Sequence, residues 1–155
     1  MIRTSTRLDE GAVVADTKCS DKFALMAKIA SLASENYGLD ASKLLESLEE
    51  RERLGATGFG GGTAIPHCKY DGIDTPRGIF VRLAKPMDYA AVDDGHVDLI
   101  YALVSPTHDG AAHLRALAEV SRMFRDEQSV AQLRGAGDAA ALFALLTYDE
   151  ERDAA

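Results

Sequence analysis

Hydrophobic positions in the first 38 residues predict a short strand followed by an amphipathic helix. Residues 13–15 form an apolar run with two β-branched side chains, which is typical of a strand. Between residues 26 and 37 apolar side chains recur every three or four positions, which is the spacing of one helix face. Ser20 or Asp21 is a suitable N-cap for this helix, and Gly38 is a suitable C-terminal residue.

The next segment is predicted to be a second helix followed by a glycine-rich loop. Asp40 can cap the helix, leucines between residues 44 and 48 form its apolar face, and residues 49–53 form a charged last turn. Residues 55–62 then contain five glycines, which are incompatible with a helix interior. We therefore expect residues 55–67 to form a loop.

Two apolar strands and three helices are predicted in the second half of the chain. The strands span residues 78–84 and 97–104, and the helices span about 107–124, 126–134 and 138–147. The first strand is bounded by Pro76 and Pro86, and the second is so continuously apolar that we expect it at the centre of a sheet. In the first of these helices an apolar face through Leu114 and Leu117 would leave His113 at its edge and partly exposed.

This order of elements favours an α/β fold. It predicts a single-domain sandwich in which helices flank both faces of a mixed central β-sheet. The 155 residues, of which 46% are hydrophobic and 27% charged, have the size and composition of one globular domain. We predict one domain over residues 1–155, with a core from about 8 to 148 and poorly ordered residues at both ends.

Charge and cysteine content restrict the classes of function. The net charge of −8 at pH 7 and the lack of a basic patch disfavour nucleic-acid binding, which requires grouped Lys and Arg side chains. No apolar run is long enough to span a membrane, and the first ten residues lack the apolar region of a signal peptide. Cys19 and Cys68 lie far apart and form no CxxC pair, so we expect two reduced thiols. These features predict a cytoplasmic protein without membrane insertion.

The glycine-rich segment does not match the common nucleotide-binding motifs. A phosphate-binding loop that begins at Gly55 would require a lysine at position 61, where the chain has Gly61. A dinucleotide-binding motif that begins at Gly58 would require a glycine in place of Thr63. An ATPase or a dinucleotide-dependent enzyme is therefore disfavoured, and we expect no cofactor.

The same segment ends in a histidine that the preceding residues restrain. Pro66 fixes its own φ and biases Ile65 towards extended backbone, so His67 follows a stiff stretch of chain. A neutral imidazole is a good nucleophile near pH 7, because the ordinary pKa of histidine is about 6.5. A phosphoryl group on this imidazole would need N–H donors, which the loop can supply, and a cation, which Arg51 or Arg53 can supply.

Residues 51–67, which read RERLGATGFGGGTAIPH, resemble the motif of the enzyme IIA domains of the phosphotransferase system. The resemblance is to the fructose/mannitol class and above all to its nitrogen-regulatory branch, whose motif reads approximately R-E-x-x-G-S-T-G-I-G-x-G-I-A-I-P-H. Ala56, Phe59 and Thr63 depart from this motif, and Ala56 removes a hydroxyl group that could contact the loop. The resemblance extends from about residue 8 to about residue 148.

The resemblance implies a phosphocarrier. The last histidine of the motif, His67, would accept the phosphoryl group, Arg51 would stabilise its charge, and His113 matches the family's neighbouring histidine. The loop around the phosphoryl group would comprise Thr57, Gly58, Gly60 and Gly62. The donor would be an HPr-like protein, without a metal ion or nucleotide. The downstream partners would be regulatory target proteins or, in a sugar-transport member, a IIB domain.

These residues also have structural explanations. Arg51 is favourable at any helix C-terminus, and His113 could simply pack in the helix. The chain could be an interaction module in which His67 is never phosphorylated. Cys68 has no predicted base and is expected to pack as a small hydrophobic side chain, and no pair of ligands predicts a metal site. The joint presence of Arg51, His67 and His113 favours the phosphocarrier.

Overall fold

Helices cover a β-sheet in the part of the chain that the computed structural model describes, residues 6–89 and 95–147. The strands are β1 (Val13–Thr17), β2 (Gly58–Gly60), β3 (Thr63–Ala64), β4 (His67–Tyr70), β5 (Arg77–Asp88) and β6 (His96–Pro106). The helices are α1 (Lys22–Tyr37), α2 (Ala41–Leu54), α3 (Gly110–Arg125), α4 (Glu127–Gly135) and α5 (Ala139–Leu146). A short 3-10 helix, Glu10–Ala12, precedes β1.

The sheet is mixed, and its two longest strands, β5 and β6, form its centre. These two strands pair antiparallel, and β1 lies parallel to the outer side of β5. On the other side, β3 and β4 pair one after the other along the same edge of β6, through Thr63↔Leu99 and His67↔Leu103. β2 completes the order β1-β5-β6-β3-β2 by pairing antiparallel with β3. The chain therefore places His67 on a strand that pairs with β6.

Both faces of the sheet are buried under helices. Alternate residues of β6 point to opposite faces. The residues packed with α1 and α2 are Ile100, Ala102 and Val104, and those packed with α3, α4 and α5 are Leu99, Tyr101 and Leu103. A strand that is buried on both faces reads as a continuous apolar run, as this one does. The predicted fold class, a mixed sheet flanked by helices on both faces, is confirmed.

Aspartate side chains cap α1 to α5. Each carboxylate accepts a hydrogen bond from a backbone N–H of the first turn, at Asp21, Asp40, Asp109, Asp126 and Asp138. Gly38 follows α1 with a φ of 69°, the left-handed conformation in which glycine is favoured. The predicted caps at Asp21 and Asp40 and the predicted end at Gly38 are therefore confirmed.

The predicted loop over residues 55–67 is wrong in part, because this segment contains β2, β3 and the first residue of β4. Each of these strands has only two to four residues, and glycines form much of β2. Such segments have no strand pattern of their own. β3 and β4 are extended because the edge of β6, more than thirty residues later, supplies backbone hydrogen-bond partners, and β2 pairs with β3.

β5 and the N-terminal segment are also more extensive than predicted. β5 continues through Pro86 to Asp88, and Pro86 is exposed where the β5–β6 register shifts, so its missing N–H interrupts no regular ladder. Arg7, which lies just before the predicted core, forms two backbone hydrogen bonds at the start of β5. The predictions of poor order for residues 1–5 and 149–155 lie outside the described residues.

Candidate functional site

His67 begins β4, where the sheet edge passes between the end of α2 and the start of α3. The backbone carbonyl of Pro66 accepts a hydrogen bond from Leu103 of β6, which fixes the register of the next residue. Cys68 points into the core under α1 and α2. Because side chains alternate along a strand, His67 points to the opposite side and is half-buried.

The two ring nitrogens of His67 have different partners. Nδ1 lies 2.7 Å from the carbonyl oxygen of Ile65, which can only accept, so Nδ1 carries the proton. Nε2 lies 3.2 Å from Nε of Arg51, which can only donate, so Nε2 presents its lone pair. The neutral ring is therefore held in the tautomer whose nucleophilic atom is Nε2.

Burial of the ring favours this neutral form. It is the largest influence on the pKa of His67, and it lowers that pKa below the ordinary value. The charge of Arg51 lowers the pKa further, whereas the hydrogen bond to Ile65 and the charge of Glu52 act in the opposite direction. The imidazole is consequently unprotonated near pH 7, as a nucleophile must be.

His113 approaches His67 from the first turn of α3. The two ring centroids are 5.5 Å apart. The side chain is buried, with 9% relative exposure, which corrects the expected partial exposure. The predicted apolar face of α3 is the reason for the error: Leu114 is 66% exposed, and the buried positions are Ala112, His113, Ala116, Val120 and Phe124.

The buried ring of His113 is neutral. Burial, and then the neighbouring His67 and Lys69, lower the pKa of His113 to about 4. Its Nδ1 lies 2.6 Å from the hydroxyl oxygen of Ser105, a fully buried residue of β6. Next to His67 there is thus a neutral imidazole whose position is fixed by the sheet.

Arg51 is held by a second contact besides His67. Its Nη1 donates to the carbonyl oxygen of Gly55 at 2.9 Å, just beyond the end of α2. The guanidinium therefore lies between the end of α2 and Nε2 of His67, and it donates to both. Arg53, the weaker candidate for this role, is exposed. The structure thus brings Arg51 and His67, from one short stretch of sequence, together with the distant His113.

The glycines of the predicted phosphoryl loop lie mostly away from His67. Gly60, Gly61 and Gly62 form a tight turn between β2 and β3, all with positive φ. The carbonyl of Gly62 accepts from the first residues of β6, whereas His67 pairs with Leu103 further along that strand. The five residues from Gly62 to His67 span about 16 Å of extended chain. The structure therefore does not bring the N–H groups of Gly60 and Gly62 to the histidine.

An arginine from α4 holds this turn in place. Arg134 donates from Nη2 to the carbonyl of Gly61 at 2.6 Å and forms a salt bridge with Asp98 at 2.8 Å. A side chain on Gly62 would collide with this guanidinium. Through Arg134, the turn is thus linked to α4 and to the start of β6.

Thr57 and Gly58 lie closer to the histidine but support it indirectly. Gly58 pairs with Ala64, and the carbonyl of Thr57 accepts from the backbone N–H of Ile65 at 3.0 Å. The Ile65 carbonyl in turn accepts from His67. Thr57 therefore stabilises the backbone that orients the ring.

The sequence prediction missed a buried polar cluster beneath the site, formed by Lys22, Glu52, Thr57 and Tyr89. The Glu52 carboxylate accepts from Nζ of Lys22 at 2.8 Å, from the hydroxyl of Tyr89 at 3.1 Å, and from both the backbone N–H and the hydroxyl of Thr57. Glu52 follows Arg51 in the shared motif, which was the available signal. Its partners Lys22, at the start of α1, and Tyr89, just after β5, are too distant in the sequence for residue spacing to predict these contacts.

Other chemistry has little support in the described ranges, 6–89 and 95–147. No group of three or more His, Cys, Asp or Glu side chains there is arranged to hold a metal ion. Cys68 is 6% exposed, and burial raises the pKa of its thiol to about 12, so it is not a thiolate at neutral pH. Both cysteines are free. None of the helices in these ranges is long and apolar enough to cross a membrane.

Comparison with known sequences assigns nearly the whole chain to one family. The family model described as the phosphoenolpyruvate-dependent sugar phosphotransferase system, EIIA 2, matches residues 7–148. A nitrogen regulatory protein of Bradyrhizobium diazoefficiens is 36% identical over 87% of this chain and 88% of its own length. One of Pseudomonas aeruginosa is 35% identical over 94% of this chain and 96% of its own length.

Solved structures give the same result at the level of the fold. The nitrogen regulatory protein IIA-Ntr of Neisseria meningitidis superposes with a TM-score of 0.84 at 30% identity, covering 90% of this chain and 96% of its own. The mannitol IIA protein of Escherichia coli superposes with a TM-score of 0.74 over 91% of this chain and 99% of its own. Its identity is 14%, so this second match shows a shared fold alone.

Proposed function

The chain belongs to the EIIA 2 family of the phosphoenolpyruvate-dependent sugar phosphotransferase system, and from this premise we propose that it is a phosphocarrier whose acceptor is Nε2 of His67. The family resemblance predicted from residues 51–67 is thereby confirmed. The observation that supports the acceptor atom is the pair of contacts on His67, in which Ile65 occupies Nδ1 and leaves the lone pair on Nε2.

The proposed donor is an HPr-like protein that carries a phosphoryl group on a histidine of its own. The lone pair of His67 Nε2 attacks the phosphorus in line, the new N–P bond forms, and the donor's N–P bond breaks with its electron pair returning to the donor nitrogen. His67 need lose no proton, because its Nδ1–H stays hydrogen-bonded to the carbonyl oxygen of Ile65. That oxygen would stabilise the positive charge of the phosphorylated ring.

Arg51 and His113 would stabilise the transferred group. In the unphosphorylated protein Nε of Arg51 donates to the nucleophile itself, and on transfer its N–H fork is close enough to move to the phosphoryl oxygens. The ring of His113 lies 5.5 Å from that of His67 between centroids and, being neutral, would contribute a hydrogen bond rather than a charge. We propose these two residues, with His67, as the catalytic residues.

We propose a regulatory rather than a transport role for the phosphorylated protein. The relatives at 35–36% identity over most of this chain are named nitrogen regulatory protein, whereas the mannitol IIA protein shares only the fold. The state of His67 would then be read by regulatory target proteins in the cytoplasm. Transfer to a IIB domain is the alternative, and it would require the same chemistry at His67.

Phosphoryl transfer to the purified protein tests this proposal. The protein is incubated with phosphoenolpyruvate, enzyme I and an HPr-type carrier, or with their nitrogen-branch counterparts, and then analysed by mass spectrometry. We expect one acid-labile, base-stable phosphoryl group on His67 and none on a folded His67→Ala variant. No label on well-folded protein from either carrier would reject the phosphocarrier and favour an interaction module. A IIB domain that removes the label would favour transport.

A further inference from the structure

A serine lies among the apolar residues of the central strand, directly behind His113. Ser105 is fully buried in β6, and its hydroxyl oxygen is 2.6 Å from Nδ1 of His113. It pairs in register with Lys69 of β4, two residues beyond His67. The hydroxyl is therefore anchored to the same two strands that fix the position of the proposed acceptor.

The direction of this hydrogen bond determines where the proton of His113 lies. A serine hydroxyl has one proton to donate, and leaving a buried donor unpaired is unfavourable. Among the described residues, the one hydrogen-bond partner of this hydroxyl is Nδ1 of His113. Only if Ser105 donates does its proton have an acceptor. Nδ1 of His113 then carries the lone pair, and the ring proton lies on Nε2.

We propose that Ser105 is a positioning residue that holds His113 in its Nε2–H tautomer, so that His113 donates a hydrogen bond to the phosphoryl group on His67. This inference rests on the proposed function of His67. Within residues 6–89 and 95–147, Nε2 of His113 has no hydrogen-bond partner, and the two imidazoles are 5.5 Å apart between centroids. A donor on that nitrogen is therefore available to the phosphoryl oxygens.

The tautomer matters because His113 is neutral. Its pKa is lowered to about 4, so it cannot attract the phosphoryl group as a cation near pH 7. In the Nε2–H tautomer it stabilises the negative oxygens by donating a hydrogen bond. In the other tautomer it would direct a lone pair at them. The Ser105 hydroxyl thus decides whether the neighbouring ring assists transfer or opposes it.

Nitrogen-15 NMR of the histidine side chains provides the first test. On unphosphorylated protein we expect His113 to show a protonated Nε2 and an unprotonated Nδ1, and in Ser105→Ala we expect both tautomers. Ser105→Thr keeps the hydroxyl and should restore the single tautomer. A protonated Nδ1 in the wild-type protein, or an unchanged tautomer in Ser105→Ala, would overturn the proposal.

The rate of phosphoryl transfer from the HPr-type donor provides the second test. We expect Ser105→Ala to reduce this rate about tenfold and Ser105→Thr to recover most of it. Thr63→Val is the matched control, because it removes another fully buried hydroxyl of the same sheet, one that donates to Gly60 rather than to a histidine. It should change neither the tautomer nor the rate. Equal rates for Ser105→Ala and wild type would reject the role of Ser105.

The two tests also separate this inference from the proposed function. The tautomer is measured on protein that carries no phosphoryl group, so it is obtained even if His67 accepts none. If the wild-type protein takes no label, the phosphocarrier fails and the role of Ser105 in transfer fails with it. If the wild-type protein is labelled and Ser105→Ala behaves identically in both measurements, the role of Ser105 alone fails.

Discussion

Arg51 donates from Nε to Nε2 of His67, the atom that would accept the phosphoryl group in the proposed function, and from Nη1 to the carbonyl of Gly55. In that function the same side chain would first contact the acceptor nitrogen and then the transferred group. A lysine could supply the positive charge but not two donors in a fixed plane. The geometry therefore predicts that shape and charge at this position contribute separately to transfer.

We expect Arg51→Gln to reduce the rate of phosphoryl transfer by about 100-fold and Arg51→Lys to reduce it less, because the lysine retains the charge. Rapid-quench measurement with the HPr-type donor gives both rates. Arg53→Gln is the matched control, since Arg53 is an exposed arginine of the same helix end, and it should transfer at the wild-type rate. A wild-type rate in Arg51→Gln would show that this guanidinium does not stabilise the reacting group.

At the scale of single residues, the sequence identified the candidate residues that lie within one short stretch. Pro66 and Arg51 are both visible there, and Arg51 contacts His67 in the structure. Glu52 lies in the same stretch, but its role depends on Lys22 and Tyr89, which come from distant elements. The burial of His113 was missed because a polar residue was assigned to the edge of an apolar face.

At the scale of elements, the turn between β2 and β3 shows how glycine is required for two different reasons. Gly61 has a φ of 64° and open space where a side chain would extend. Gly62 has a φ of 81°, and a side chain there would in addition collide with Arg134 and approach Asp98. The first glycine is required by backbone conformation, and the second by conformation and by the close approach of α4.

This difference predicts unequal effects of alanine at the two positions. Gly61→Ala should lower the free energy of unfolding by about 1 kcal/mol, which is the cost of a left-handed alanine. Gly62→Ala should lower it by about 1 kcal/mol more, because Arg134 must leave Gly61 and Asp98. Urea unfolding gives both values, and in an Arg134→Ala background the difference between the two variants should shrink. Equal values in the wild-type background would show that Arg134 moves aside without loss.

The helices could be predicted from local pattern more fully than the strands. The caps at Asp21 and Asp40 are encoded within a few residues of the helices that they begin. β3 and β4 exist because β6 lies beside them, and nothing within residues 63–70 specifies that neighbour. The strands β3 and β4 therefore could not be predicted from sequence, whereas the apolar strands β1 and β6 could.

At the scale of the whole molecule, burial of His113 couples folding to pH. The unfolded chain has the ordinary histidine pKa near 6.5, whereas the folded protein holds this pKa at about 4. Between these values the unfolded chain binds a proton that the folded protein does not, so acid favours unfolding. Well above pH 6.5 both states are essentially unprotonated at this residue, and His113 then makes almost no contribution to the pH dependence.

We expect this residue alone to remove about 3 kcal/mol of unfolding free energy between pH 7 and pH 4. Urea unfolding of the wild-type protein and of His113→Gln at both pH values isolates the contribution, because glutamine does not titrate. The wild-type protein should lose more stability than the variant over this range. The same loss in both proteins would mean that His113 is protonated equally in the folded and unfolded states.

The overall architecture could be predicted to the level of layers but not of strand order. Continuous apolar sequence in β6 indicated burial on both sides, and both sides are indeed covered by helices. No local sequence pattern predicted that β3 and β4 would share one edge of β6 or that β1 would pair with the other edge of β5. That arrangement results from the packing of all elements together, and it is what joins α2 and α3 at His67.

The alternation of side chains along β4 has a consequence for which chemistry the protein offers to its surroundings. His67 and Cys68 are adjacent, and the hydrogen bond between Pro66 and Leu103 decides which of them is turned inwards. A slip of β4 by one residue would bury the imidazole in the apolar layer and turn the thiol outwards. The register of these four residues thus determines whether an imidazole or a thiol faces the ends of α2 and α3.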